Sequence, residues 1–230
     1  MFVITVLIAI LMPTLGTAQE AARRTVCLSN VRQVGFGLSS FADERRGLLP
    51  PSIYKQDVGP GLVPSGASPE MMRLRIGIEE AVGRGVAPSW DGLGLLHEGG
   101  FLQGPKVYYC PSHRGEHRFS EYAQVWGSTD KLEIIGNYQY RGSDRNGNRR
   151  LFQMEPLKTA LVSDGMRTLS DYSHRVGCNL LRADLSVEWL GDRQYRIADL
   201  LKVGTDERTV VGDSALNLAW SRMDTPAQQD

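Results

Sequence analysis

The sequence has few cysteines, few aromatic residues and no net charge. Its 230 residues include 3 Cys and 8% aromatic residues, and 26 Lys plus Arg balance 26 Asp plus Glu. Three cysteines cannot form a disulfide framework, because they allow at most one bridge. The balanced charge argues against a nucleic-acid-binding protein, since neutralising phosphates requires a basic surplus. The 41% apolar content excludes a disordered chain.

The amino terminus lacks charge altogether. No Asp, Glu, Lys or Arg precedes Glu20, and residues 2–15 are almost entirely apolar. As a helix, residues 2–19 would be about 27 Å long, just short of the roughly 30 Å hydrocarbon core of a membrane. The segment fits a membrane anchor, a buried core helix, or a signal peptide cleaved before Gln19. Gly16 and Ala18 suit that cleavage, although a basic n-region is absent.

A helical pattern continues beyond the apolar segment. Apolar residues recur at spacings of three to five, namely Ala18, Ala22, Val26, Val31, Val34, Leu38 and Phe41. Charged residues, including Glu20, Arg23 and Arg24, lie between them and predict a solvated outer face. The sequence therefore predicts one helix over residues 2–42, apolar on all sides in its first half and amphipathic in its second.

The rest of the chain predicts a small α+β domain. Residues 43–69 are rich in Pro and Gly and predict a loop, and residues 70–230 predict the soluble domain. A short helix is predicted over residues 70–82 and another near Trp90. Short β-prone runs are predicted at residues 107–109, 132–140, 159–164, 179–184 and 186–190. The last two predict a hairpin that turns near Asp184, so we expect the long helix to lie against an antiparallel sheet.

Three segments, in order, resemble a family of pilin-like proteins. The apolar run leads through Pro13 to Cys27, and a Trp90 segment leads to Cys110-Pro111-Ser112. Nine residues separate His174 from Asp184. In this arrangement the chain resembles a bacterial group, abundant in planctomycetes, with a prepilin-type amino-terminal helix and a carboxy-terminal motif of His, nine residues and Asp-Gly.

The resemblance implies a non-enzymatic, pseudopilin-like protein associated with type II secretion. It implies a single-pass anchor in the bacterial cytoplasmic membrane, with the α+β domain on the periplasmic side. The expected partners are membrane lipid through residues 2–19 and other pilin-like subunits or secretion machinery, with no nucleic acid and no cofactor. The alternative is a signal-peptide-bearing secreted protein, either a metal-binding protein or a hydrolase.

The sequence departs from this family at both ends. It starts inside the apolar helix, without the basic leader and the prepilin peptidase motif. Arg23 and Arg24 follow the apolar run, so the positive-inside tendency favours a basic leader upstream of Met1. Leu185 replaces the Gly after Asp184, and His113 stands where the family has Asp after Cys-Pro-Ser.

A zinc half-site is one chemical hypothesis. Cys110, His113 and His117 have Cys-x2-His-x3-His spacing, and His174 with Cys178 could complete the ligand set. The alternative is a solvated polar segment, and Cys178 is expected to be a small core residue.

A calcium loop is a second hypothesis. Asp144, Asn146 and Asn148 place oxygen donors at alternate positions, and Asp130 and Glu133 lie upstream. Neighbouring arginines oppose a cation, so a solvated turn is favoured.

Under the pilin-like resemblance, Cys27 and Cys110 are candidate disulfide partners. The domain would face an oxidising compartment, where a bridge would pin the helix to the domain. Two isolated buried thiols remain the alternative. His174 and Asp184 could form an acid–base pair, but the chain has no recognisable nucleophile elbow or metalloprotease motif. We therefore expect structural roles, with Asp184 closing the hairpin turn.

Overall fold

The computed structural model describes residues 2–55, 68–128, 130–174, 176–203 and 209–224, with side chains from residue 15 onward. Its helices are α1 (Phe2–Glu44), α2 (Ile78–Arg84), α3 (Gly94–Glu98), α4 (Phe119–Tyr122) and α5 (Asp213–Asp224). Its strands are β1 (Arg73–Arg75), β2 (Ile134–Ile135), β3 (Tyr138–Tyr140), β4 (Ala160–Asp164), β5 (Gly177–Arg182) and β6 (Val187–Gly191). The predicted α+β class is confirmed.

The main sheet is an antiparallel meander in the order β3-β4-β5-β6. The predicted carboxy-terminal hairpin is confirmed, because β5 pairs with β6 in a continuous register from Gly177 opposite Gly191 to Leu181 opposite Val187. Asp184 closes the turn as expected, since its Oδ1 accepts hydrogen bonds from the Ser186 amide at 2.9 Å and hydroxyl at 2.6 Å. A smaller sheet pairs β1 with β2.

Both faces of the main sheet are covered. Along β5, Leu181 belongs to the hydrophobic core that includes α1, whereas Cys178 and Leu180 belong to a second core that includes α5. This alternation follows from the two-residue period of a strand. The arrangement places α1 and α5 on opposite faces of the sheet, which explains why every residue of β5 is buried.

The second half of α1 forms one side of the first core. Its buried residues recur at spacings of three and four, namely Cys27, Val31, Val34, Leu38 and Phe41. Gly35 lets the helix approach the sheet closely, because a Cβ there would lie 2.8 Å from Cδ1 of Leu181. The predicted helix and its amphipathic second half are confirmed. The register differs near its start, because Cys27 rather than Val26 faces the core and Ala18 and Ala22 are exposed.

Two predictions of local secondary structure are wrong. The predicted helix over residues 70–82 is wrong at its centre, where Arg73–Arg75 pairs with β2 between a 3-10 helix, Pro69–Met72, and α2. The predicted strand at residues 107–109 is also wrong, because Pro105–Tyr108 forms a 3-10 turn that begins at a proline.

The loop predicted over residues 43–69 is described only at its two ends, because residues 56–67 lie outside the described structure. Leu49 and Tyr54 are buried in the first core. The described part of this loop is therefore held against the domain. The predicted limits of the three segments remain predictions.

No helix in the part of the chain whose side chains are described is both long and apolar enough to span a lipid bilayer. The predicted membrane segment falls mostly on residues 2–14, whose side chains lie outside that part.

Candidate functional site

Four side chains from distant parts of the chain meet beneath α1. They are Cys27 on α1, Cys110 after the 3-10 helix Pro105–Tyr108, Asp164 at the end of β4, and His174 in the loop before β5. One donor atom from each lies within 4.8 Å of the others. All four residues are buried, with exposed fractions of 0 to 6%. We call these residues the Cys/His/Asp cluster.

Hydrogen bonds that involve the backbone help to position two of the cluster residues, Cys110 and Asp164. Asn30 of α1 donates a hydrogen bond to the Tyr109 carbonyl at 3.1 Å, which brings the Cys110 segment to the helix. The Cys110 amide donates to Asn137 Oδ1 at 3.3 Å. Asp164 Oδ2 accepts from the Asn179 amide of β5 at 2.7 Å, so the pairing of β4 with β5 also orients the carboxylate.

The cluster has a continuous set of polar contacts. The Cys27 thiol donates to Asp164 Oδ1 at 3.1 Å and lies 3.3 Å from the Tyr138 hydroxyl. His174 Nε2 lies 3.6 Å from Cys110 Sγ and 3.8 Å from Asp164 Oδ2. Both faces of the site, the helix and the sheet, therefore supply donor atoms to one small volume.

A carboxylate outside the cluster orients the histidine. Glu20 Oε1 lies 2.7 Å from His174 Nδ1, and the Ser112 hydroxyl donates to both Glu20 oxygens, at 2.9 and 3.1 Å. This contact holds the proton on Nδ1 and directs Nε2 toward the two thiols. The prediction that Glu20 lies on the solvated outer face of α1 is wrong, because its carboxylate contacts His174 and Ser112. Its seven-residue spacing from Cys27 was the available signal, since it places both residues on one side of a helix.

The electrostatics favour a charged pair between Cys110 and His174. Burial alone would raise the pKa of Cys110, but hydrogen bonds with Cys27 and His174 outweigh it and lower this pKa to about 7. Burial alone would lower the pKa of His174, but the Cys110 hydrogen bond and the Asp164 charge raise it to about 9. Burial raises the pKa of both Cys27 and Asp164. One thiol of the cluster is thus poised to ionise near neutral pH.

The structure brings together both cysteines of the predicted disulfide. Cys27 and Cys110 are neighbours in the cluster, and both are free thiols in this structure. The disulfide itself remains a prediction. Cys178 lies on the other face of the sheet, in the core with α5, as expected of a small core residue.

The two additional histidines of the hypothetical zinc half-site have other contacts in the structure. His113 Nε2 contacts the Glu116 carbonyl and its Nδ1 lies 3.3 Å from the Ser173 hydroxyl. His117 Nδ1 lies 2.6 Å from the Tyr122 hydroxyl. Among the described residues, the donor group that contains Cys110 contains neither of these rings. His174, a candidate further ligand in the sequence, does lie in that group, whereas sequence spacing gave no signal for Asp164.

The remaining sequence candidates have structural contacts. The Asp144 carboxylate accepts from the amides of Asn146 and Asn148, both at 2.8 Å, and so closes the turn proposed as a calcium loop. Trp90 packs against Trp126, with ring centroids 5.4 Å apart. His174 contacts Glu20 and the cluster, whereas Asp184 bonds within its own turn. Pro13 lies among the residues whose side chains are not described.

A cavity of about 460 Å³ lies next to the cluster. Cys110 and Pro111 line it together with Asn137, and the wall also includes Val26 of α1 and Phe119 of α4. The cavity therefore borders the cluster on the side of the Cys110 segment.

The cluster is chemically able to do three things. Two thiols, an imidazole and a carboxylate can hold a transition-metal ion, two thiols can form a disulfide, and a thiolate can pair with an imidazolium. Comparison with models of protein families, with curated proteins and with solved structures gave no match. Any functional proposal therefore rests on the residues and their geometry.

Proposed function

We propose that this protein is a non-enzymatic, pilin-like subunit. The first half of its amino-terminal helix would extend from the folded domain and contact lipid or neighbouring subunits. The observation that carries the proposal is the uneven packing of α1. The helix has 43 residues, which correspond to about 65 Å at 1.5 Å per residue. From residue 15 onward, its first buried residue is Cys27.

The exposed part of α1 is apolar as well as long. Leu15 and Val26 are 59% and 51% exposed, and Ala18 and Ala22 lie exposed between them. Their spacing of three and four residues makes a stripe on a helix face that the domain leaves open. Residues 2–15, almost wholly apolar in sequence, extend the same helix. Such a helix fits lipid or the helices of neighbouring subunits.

The proposed setting is supported by the exposed apolar stripe of α1 and by the pilin-like resemblance. Residues 2–19 would insert in the bacterial cytoplasmic membrane, and the α+β domain would lie on its outer side. The partners would be other pilin-like subunits or secretion machinery, which would contact the open stripe of α1. A purely structural role agrees with the burial of the Cys/His/Asp cluster, whose four residues are at most 6% exposed.

Site-specific photo-crosslinking in intact bacteria tests the proposal. A photoreactive amino acid at Leu15 is expected to join the full chain to another subunit or to lipid. Leu157, which is 65% exposed in the loop before β4, is the matched control and is expected to give little product. Equal crosslinking at both positions, or the absence of residues 1–18 from the isolated protein, would overturn it.

The alternative function is that of a secreted metal-binding protein or hydrolase. Of these two, only metal binding gains support from the structure. The Cys/His/Asp cluster has the donor chemistry of a metal site. Its burial favours a stationary ion over a reaction on an external substrate.

A further inference from the structure

We propose that Cys27, Cys110, Asp164 and His174 form a tetrahedral site for a divalent transition-metal ion, with Zn²⁺ as its occupant. The ion would join α1 to the sheet and to the Cys110 segment. This inference does not depend on the pilin-like proposal, because it rests on the donor atoms of the Cys/His/Asp cluster alone.

The donor spacing matches a tetrahedral zinc ion. With Zn–S bonds of 2.3 Å and Zn–N or Zn–O bonds of 2.0 to 2.1 Å, the donor atoms should lie roughly 3.3 to 3.8 Å apart. One donor atom from each residue lies within 4.8 Å of the others, and two of the pairs are already near this range, at 3.1 Å from Cys27 Sγ to Asp164 Oδ1 and 3.6 Å from Cys110 Sγ to His174 Nε2. Small side-chain adjustments would bring all four donors to one point.

The hydrogen bonds around the donors are those of a metal site. Histidine ligands of zinc commonly donate their second N–H to a carboxylate, which fixes the ring and its tautomer. Glu20 occupies this position at His174 Nδ1, and Ser112 in turn holds Glu20. The Asn179 amide fixes Asp164 through Oδ2. The supporting contacts are therefore complete without the ion.

The chemistry and number of the ligand atoms indicate which metal binds and whether the site is structural or catalytic. Thiolates and imidazole favour Zn²⁺ over the hard cations Mg²⁺ and Ca²⁺, which prefer oxygen ligands. Four protein ligands leave no open coordination position, which is typical of a structural site. On binding, two Zn–S bonds, one Zn–N bond and one Zn–O bond form, and two protons pass to solvent, one from the Cys27 thiol and one from the Cys110–His174 pair, with no change of oxidation state.

A disulfide between Cys27 and Cys110 is the competing outcome. It would consume both sulfur ligands and require an oxidant. Keeping the protein reduced separates metal binding from disulfide formation, because both thiols then remain available as ligands.

Metal titration of the full-length chain tests the site. The protein would be purified in mild detergent with a reductant, stripped with EDTA, and titrated with Co²⁺ and then Zn²⁺. We expect one ion per chain, with a sulfur-to-cobalt charge-transfer band, strong tetrahedral ligand-field bands, and loss of both when Zn²⁺ is added. Cys27→Ser and His174→Gln should each weaken binding by more than about 100-fold.

Two variants serve as controls for these substitutions. His117→Gln removes a histidine of the sequence-predicted half-site, and Cys178→Ala removes the thiol outside the cluster. Both should bind Co²⁺ with the wild-type spectrum. Glu20→Gln leaves all four ligands in place and should weaken binding by about 10- to 100-fold through the orientation of His174.

A melting experiment on the unchanged protein covers the case in which a ligand variant does not fold. Zn²⁺ should raise the melting temperature of the reduced, stripped chain, and EDTA should reverse the rise. The proposal is overturned if the reduced chain binds no Co²⁺ and Zn²⁺ leaves its melting unchanged. It is also overturned if Cys27→Ser keeps the sulfur-to-cobalt band at full intensity.

Discussion

Gly94 shows how closely the residues around the first core approach one another. It begins α3 against the backbone of β1, and a Cβ at this position would lie 1.8 Å from the Leu74 carbonyl oxygen. Backbone cannot move aside as the end of a flexible side chain can. The glycine is therefore required by space, and its absence should disturb the segment that leads from Trp90 to the Cys110 region.

We expect Gly94→Ala to destabilise the protein by about 1 to 3 kcal/mol or more, because the added methyl overpacks the contact. Gly83→Ala is the matched control, since a Cβ there meets nothing within 4 Å. It should be neutral or stabilise α2 by up to about 1 kcal/mol. Urea unfolding of both variants measures the difference, and equal stabilities would contradict the close approach.

The cluster residues differ in how well the sequence predicts them. Cys27, Cys110 and His174 stand out because they belong to recognisable motifs. Asp164 does not, because its role depends on the register of β4 against β5, where the Asn179 amide meets its carboxylate. Glu20 was misplaced because a charge beside an apolar run is normally solvated, and only the fold reveals the buried histidine that it contacts.

Among the elements, α1 is the one that the sequence predicts best. Its apolar residues repeat with a helical period, and local periodicity needs no knowledge of distant contacts. The predicted end at residue 42 agrees with the observed end at Glu44 to within two residues. The strand β1 could not be predicted in this way, because three residues form a strand only when β2 lies beside them. The sequence predictions did not include α5, although its buried residues recur at the same helical spacing, namely Leu216, Ala219, Trp220 and Met223.

The packing of α1 predicts that two of its large residues contribute very differently to the free energy of unfolding. Leu38 is fully buried, whereas Phe36 is 62% exposed. We expect Leu38→Ala to lower the free energy of unfolding by about 2 to 5 kcal/mol through the lost burial and the cavity. Phe36→Ala should change it by less than about 0.5 kcal/mol. Denaturant titration checks both, and a larger loss at Phe36 would mean that α1 packs through a different face.

At the scale of the molecule, the two halves of α1 differ in how they pack. Its second half completes a layered α+β domain, and its first half extends beyond that domain with an open apolar stripe. The neutral total charge conceals the same division, because all charged residues begin at Glu20. The Cys/His/Asp cluster lies where the two halves meet. A bound ion or a disulfide there would fix the direction in which the free half leaves the domain.

The most direct measurement of the central claim is alkaline extraction of bacterial membranes, followed by intact mass analysis of the chain. We expect the protein to stay with the membrane pellet, with a mass that includes residues 2–18. Omission of residues 2–14, with the domain otherwise intact, should release it into the soluble fraction. Recovery of the unaltered chain in the soluble fraction, with a mass that begins at Gln19, would contradict the account.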